Sequence, residues 1–179
     1  MTRPSIAVFD FDGTLVDSDE ALIAPFLTLG IDRSRIRLGR VLADECADLG
    51  VTVEDYLAFY DPTTSDPYPG IDDLLASLDR WGLCSNKHPD SGASELRRLA
   101  WHPAATSWAR DTGKSLVPLL PQLGVRGEDI LFIGDTDHDR DCAAEVGASF
   151  ALAGWNARVS GGDGDLVLSQ PSEVLDHLV

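Results

Sequence analysis

Hydrophobic and polar positions along the chain fall into two textures. Residues 5–10 (SIAVFD) form a short apolar run ending in an acid, the pattern of a buried strand. The turn FDGT follows, and polar helical sequence begins near Asp17 and Ser18. From there to about Pro67 the periodicity is helical only, with helices expected over 19–29, 34–49 and 53–60. Residues 30–32 and 50–52, each opening on glycine, separate them. The stretch ends in DPTTSDPYPG, whose prolines mark a boundary.

Beyond that loop, helix and strand patterns alternate. A helix is expected over 71–79, a strand over 82–84, a helix over 91–99 and a weaker strand over 105–108. Next come a helix over 115–123, a strand over 130–133, a helix over 140–146 and strands over 149–152 and 166–168. A last helix starts near Ser172. Strands alternating with helices imply an α/β fold, a parallel sheet with helices on both faces. Residues 1–16 and 68–179 form that core, and 17–67 are an all-helical insert placed after the first strand. No repeat is evident, and SGGDGD at 160–165 reads as a surface loop.

Composition narrows the partners. At 179 residues with 44% apolar, the chain can bury about 70% of its unfolded surface without a metal or disulfide staple. A net charge of −16 argues against nucleic acid and anionic membranes as partners. No segment approaches the roughly 18 apolar residues of a membrane span, and MTRPSIAVFDFDGT lacks the apolar core of a signal peptide. Cys46, Cys84 and Cys142 form no CxxC pair, which fits reduced thiols in a cytoplasmic protein. The acids are lopsided, 23 Asp against 7 Glu, and Asp favours turns, caps and metal sites. Lysine is scarce: Lys87 and Lys114 stand against twelve arginines.

In an open parallel sheet, ligands gather at the carboxyl ends of the strands. The first strand is followed by Asp10 and Asp12 (DFDGTLVDS), the second by Ser85 and Asn86 (LCSNK). After the fourth come Asp135, Thr136, Asp137 and Asp139 (LFIGDTDHD), and Lys114 precedes the helix leading into that strand. Each piece alone reads equally well as a turn or helix cap. Together they place four acids, a hydroxyl and a lysine in one small volume. Clustered carboxylates repel and resist ionising unless a cation compensates. All-oxygen ligation suits a hard ion, with Mg²⁺ the natural candidate. A metal, a lysine and a hydroxyl around a carboxylate amount to a phosphoryl clamp. That carboxylate can itself attack phosphorus, splitting hydrolysis into two easier steps.

At these residues the chain resembles the haloacid dehalogenase superfamily, specifically its phosphatases. DFDGTLVDS resembles that family's first motif, LCSNK its second and GDTDHDRDCAAEVGA its fourth. The likeness runs from Ser5 to about Leu152. It implies a Rossmann-like core and makes the insert a small helical cap, as in the phosphoglycolate phosphatase-like branch. The resemblance implies a phosphoric monoester hydrolase acting on a small phosphorylated metabolite, with Mg²⁺ and an aspartyl-phosphate intermediate. Asp10 would be nucleophile and metal ligand. Asp12 would be general acid and then base, its backbone carbonyl on the metal. Gly13 and Thr14 would shape the turn beside the substrate. Ser85 and the amide of Asn86 would hold phosphoryl oxygens, and Lys114 would neutralise charge. Asp135 would ligate magnesium directly, and Asp139 directly or through water.

Several points stay open at the sequence level. GKSLVP lacks the proline that commonly follows the family's lysine, and the spacing from Lys114 to Asp135 is short, so Lys87 competes for the role. GKS also mimics the end of a P-loop, but Trp108 stands where the first glycine should be. Asp137 and Asp141 read as helix-start acids favoured by the dipole. Tyr56, Phe59 and Tyr60 stand at helical spacing and read as packing. Arg33, Arg35, Arg37 and Arg40 read as surface, with an anion anchor the sharper alternative, and Trp155 reads as loop packing or as part of the site mouth. The four histidines show no metal spacing. A phosphomutase keeps both motif aspartates and remains an alternative. A 2-haloacid dehalogenase needs no acid at Asp12, and a non-catalytic phosphate- or protein-binding relic would have lost Asp10, Asp12 or Lys114.

Overall fold

In the computed structural model, which describes residues 3–109 and 113–179, the first apolar run becomes strand β1 (Ile6–Phe9). Its side chains divide between two cores: Ala7 and Phe9 enter one, Ile6 and Val8 the other. A strand covered on both faces has no polar side to show, which is why the run is continuously apolar.

The chain continues through β2 (Val16–Asp17), α1 (Asp19–Thr28), α2 (Leu42–Leu49), α3 (Val53–Phe59) and β3 (Asp66–Pro67). After these come α4 (Ile71–Ser77), β4 (Trp81–Ser85), α5 (Pro89–Leu99), β5 (Ala105–Trp108), α6 (Leu119–Leu123), β6 (Ile130–Gly134), α7 (Asp137–Val146), β7 (Ser149–Ala153) and β8 (Val167–Leu168). The main sheet has six strands in the order β5-β4-β1-β6-β7-β8, every pairing parallel. Because the chain leaves β1 for β4 on one side and later fills β6 on the other, the order of connection reverses between β1 and β6. A crevice opens at the carboxyl ends there.

One core packs α4 and the Phe9, Trp81 and Trp101 rings against the sheet, with Phe9 and Trp81 edge to face at 6.0 Å. The other gathers Leu116, Leu119, Leu123, Cys142 and Phe132 beneath α6 and α7. The insert has a small core of its own, Phe26, Cys46, Leu49 and Tyr56, with the Phe26 and Tyr56 rings 4.6 Å apart.

Four local expectations need correction. The stretch between the first strand and Pro67 is not helical only: β2 and β3 pair antiparallel, Val16 opposite Pro67, and join the two strands of chain that enter and leave the insert. The helix expected over 34–49 is shortened to α2. Asp32 accepts the Ser34 backbone N–H at 2.8 Å and starts a single 3₁₀ turn, Arg33–Arg35. Such a local bond competes with helix formation, and Gly39 at φ 80° then breaks the path. The helix expected over 115–123 begins only at Leu119. Ser115 instead gives its carbonyl to the Ser107 hydroxyl at 2.9 Å and accepts the Val117 N–H at 3.2 Å. The last segment, Pro171–His177, winds as 3₁₀ turns.

Conversely, α7 starts three residues earlier than its apolar pattern suggests, because Thr136 and Asp139 close a reciprocal capping box. Cys46, Cys84 and Cys142 are all buried and unpaired. No helix among the described residues is long and apolar enough to cross a membrane.

Candidate active site

Asp10 leaves the end of β1 with its backbone N–H bonded to the Ile133 carbonyl of β6 at 2.9 Å. The chain then turns sharply: Leu15 and Val16 both donate to the Phe11 carbonyl, at 2.9 and 3.1 Å, and Gly13 donates to Val16 at 2.9 Å. Gly13 sits at φ 78°, and a Cβ there would lie 2.3 Å from Oδ2 of Asp135. Glycine is therefore needed twice over, for the left-handed turn and for the close approach of the two loops. Two side chains from the loop after β7 hold this turn from outside. Trp155 Nε1 donates to the Thr14 carbonyl and Asn156 Nδ2 to the Gly13 carbonyl, both at 2.8 Å.

The two lysines face different carboxylates. Lys114 Nζ lies 2.9 Å from Asp10 Oδ2 and 2.5 Å from Asp139 Oδ1. Lys87 Nζ lies 2.8 Å from Asp12 Oδ1 and 2.8 Å from Glu95 Oε1. Both ammonium groups are buried, so burial alone would lower their pKa. The facing Asp10 and Asp139 overcome this for Lys114, and Asp12, Tyr60 and Glu95 do so for Lys87, so both end above the ordinary lysine value.

Around Lys114 the negative charge is in excess. Asp10, Asp135 and Asp139 each bring a carboxylate oxygen within 4.8 Å of the others, against the Lys114 ammonium and the Arg158 guanidinium 3.6 Å from Asp135. Burial raises Asp10 to about 6, with Lys114 pulling down and Asp139 pushing up. Burial, then Asp10 and Asp139, push Asp135 up to about 8. Asp10 Oδ1 is buried and has no hydrogen-bond partner among the described residues. Such a group is costly unless something cationic meets it. A hard dication fits this all-oxygen set, compensating the surplus charge and the unpaired oxygen together.

Asp139 is more committed than Asp135. Its Oδ2 accepts the Thr136 N–H at 3.0 Å and the Thr136 hydroxyl at 2.6 Å, and its Oδ1 faces Lys114. Asn86 is also engaged: its Oδ1 accepts the Lys114 backbone N–H at 2.8 Å, and its Nδ2 donates to the Gly39 carbonyl of the insert at 3.0 Å. Its side chain is thus committed, and it stands next to the buried Ser85. Asp10, Asp12, Ser85, Asn86, Lys114 and Asp135 all line one cavity of about 110 Å³. Gly13 and Thr14 do not line it, and the Thr14 hydroxyl is fully buried without a partner among the described residues.

Four participants carried no assigned role in the sequence. Glu95 is fully buried and receives Lys87, the Tyr60 hydroxyl and, at 2.8 Å, the Ser65 hydroxyl. An acid in mid-helix looks like surface, so nothing local marks it. Tyr60 reads as packing, yet its hydroxyl joins the insert to this buried network. Asn156 and Arg158 follow β7, and Arg158 reaches Asp19 at 2.8 Å and Asp135 at 3.6 Å. The strand-end rule applied to β7 would have found these two. His88 lines the cavity, whereas Trp155 and Phe59 do not. Asp137 is exposed at the first turn of α7, as its helix-start reading anticipates.

No protein-family profile matches the chain. Curated relatives do. The chain is 24% identical to an N-acetylmuramic acid 6-phosphate phosphatase of Pseudomonas aeruginosa, over 98% of its own length and 95% of the relative. It is 26% identical to a phosphoglycolate phosphatase of Xanthomonas campestris, over 97% and 96% of the two chains. Among solved structures, a haloacid dehalogenase-like family hydrolase from Streptococcus pneumoniae superposes with a TM-score of 0.81 at 24% identity, covering 98% of this chain and 99% of that one. The last comparison speaks for the fold.

Proposed function

We propose that the chain is a phosphatase of the haloacid dehalogenase type that hydrolyses a small phosphorylated metabolite, a reading supported by its likeness over nearly its whole length to curated phosphatases and by the shared fold. The observation that carries the reading is the state of Asp10: one oxygen is held by Lys114 at 2.9 Å, and the other is buried without a hydrogen-bond partner among the described residues. A carboxylate so placed, beside surplus negative charge that calls for a dication, is suited to attack phosphorus.

In this reading Asp10 attacks the phosphoryl group and becomes an aspartyl phosphate, expelling the alcohol. Asp12 gives its proton to the departing oxygen, then takes one from the water that cleaves the acyl phosphate. Lys87, 2.8 Å away, holds the Asp12 carboxylate in place between the two steps. Lys114 spreads the charge shared by Asp10 and the phosphoryl oxygens, and the Ser85 hydroxyl and Asn86 amide orient those oxygens. Asp10, the Asp12 carbonyl and Asp135 would hold Mg²⁺, with Asp139 contributing through water because its Oδ2 is taken by Thr136. Bound there, Mg²⁺ supplies positive charge to the transferring group. The insert over 17–67 serves as the cap over this site.

The test is turnover of p-nitrophenyl phosphate with Mg²⁺ by the native chain and by Asp10→Asn. Activity is expected in the first and a loss of about a thousandfold or more in the second, with the fold retained by circular dichroism. Acid-quenched native protein should carry phosphate on Asp10 in a peptide digest. Full activity in the Asp10→Asn variant, or with chelator present, would sink the mechanism. A haloacid tested alongside should be untouched.

A further inference from the structure

The cavity over Asp10 is lined by two unlike sets of residues. Asp10, Lys114 and Asp135 line it from the sheet side, and the insert contributes an apolar set, Leu22, Phe26, Leu38, Leu42 and Tyr56, beside its charged residues. Five cationic side chains line the space among the described residues: Lys87, Lys114, Arg37, Arg40 and Arg158. Each is already matched. Lys114 serves Asp10 and Asp139, and Lys87 serves Asp12 and Glu95. Arg158 is held by Asp19 at 2.8 Å.

The two insert arginines are the natural anchors for a second anionic group on a substrate, and they are the most heavily engaged. Arg40 meets Glu45 at 2.6 Å and Asp48 at 2.8 Å; Arg37 meets Asp48 at 2.6 Å and Glu45 at 3.6 Å. Two positive and two negative groups close on themselves. Glu45 is the buried member, with 4% of its side chain exposed, and it also accepts the Arg37 backbone N–H at 2.8 Å. Its carboxylate is thus held in the cavity lining by Arg40 and the Arg37 backbone.

Building on the phosphatase reading, we propose that this site takes phosphate monoesters whose alcohol part is uncharged and partly apolar, and selects against esters bearing a second anionic group. The alcohol part lies between the apolar insert wall and a charge-neutral Arg–Glu–Asp cluster. A carboxylate placed there finds no unmatched lysine or arginine among the described residues and shares a partly desolvated cavity with the Glu45 carboxylate, which costs affinity. This separates the chain from relatives named for phosphoglycolate, an ester with a carboxylate beside its phosphate.

The experiment compares 4-phosphooxybutanamide with 4-phosphooxybutanoate, which match in size and in leaving oxygen and differ in one charge. Both are run as substrates with Mg²⁺ and as inhibitors of p-nitrophenyl phosphate turnover, so that an ester bound but slowly cleaved still reports its affinity. The amide should be favoured by about tenfold or more in kcat/KM or in inhibition. Asp48→Asn, at a half-exposed position, releases charge on Arg37 and Arg40 and should narrow that ratio at least about threefold. A carboxylate that competes as well as the amide in both formats overturns the inference while leaving the phosphatase reading intact. So does a ratio that Asp48→Asn leaves unmoved. Absence of p-nitrophenyl phosphate turnover in the native chain overturns both.

Discussion

Lys87 and Glu95 form a fully buried ion pair, Nζ to Oε1 at 2.8 Å, whose other side is the Asp12 carboxylate. The pair joins the loop after β4 to the middle of α5, and Tyr60 brings the insert into the same cluster. A charge this deep is tolerated only while its partner is present. Lys87→Met should therefore cost about 3–5 kcal/mol by stranding Glu95, a fall in Tm of roughly 6–20 °C for a chain of this size. The double variant Lys87→Met/Glu95→Gln should recover much of that loss. Thermal melts of the two variants check this; equal instability would show that the pair does not act as a unit.

Gly13 is the tightest point between the loops after β1 and β6. Gly13→Ala places a side chain at φ 78° and 2.3 Å from Asp135 Oδ2, combining a left-handed penalty of about 1–2 kcal/mol with displacement of a proposed metal ligand. Turnover should fall at least about tenfold, and more Mg²⁺ should be needed for half-maximal rate. Titrating activity against Mg²⁺ decides it.

Burial above all pushes Asp10 up to about 6 and Asp135 up to about 8 in the folded chain, against 3.8 for an ordinary aspartate. Between the unfolded and folded values the folded chain binds more protons than the unfolded one. The stability these groups contribute is present below about pH 4 and is lost as pH rises through about 6 and then 8. Magnesium binds the ionised forms and opposes that loss. The gain in Tm on adding Mg²⁺ should be larger near pH 8 than near pH 5, and chelator should abolish it. A gain independent of pH would count against these ligands.

Thr136 holds the Asp139 carboxylate with its backbone N–H and its hydroxyl, at 3.0 and 2.6 Å. Thr136→Val should cost about 1 kcal/mol as a lost helix cap and lower kcat through the Asp139–Lys114 contact. Thr136→Ser keeps the hydroxyl and should restore both. Failure of serine to rescue turnover would separate the cap from the site.

The central strands, the parallel sheet and the clustering of Asp10, Ser85 and Asp135 at strand ends were determined by the sequence alone. Burial on both faces writes a continuous apolar run into β1, β4 and β6, and the chemistry-bearing residues sit directly after such runs. Local signals also place the ends of α7, through the Thr136–Asp139 box, once capping is weighed with periodicity. What the sequence left open was decided by which strands are neighbours. Lys87 and Lys114 both lie in polar loops, and only the β4-β1-β6 order sends one to Asp12, 75 residues away along the chain, and the other to Asp10. Glu95, an acid in mid-helix, and Arg158, beyond β7, gain their meaning from partners distant in sequence. The same holds for Arg37 and Arg40, which read as free surface charges until α2 begins at Leu42 and turns Glu45 and Asp48 toward them. Periodicity records whether a position is buried, but the pairing of charges is a property of three-dimensional neighbours, and that is what decides the character of this site.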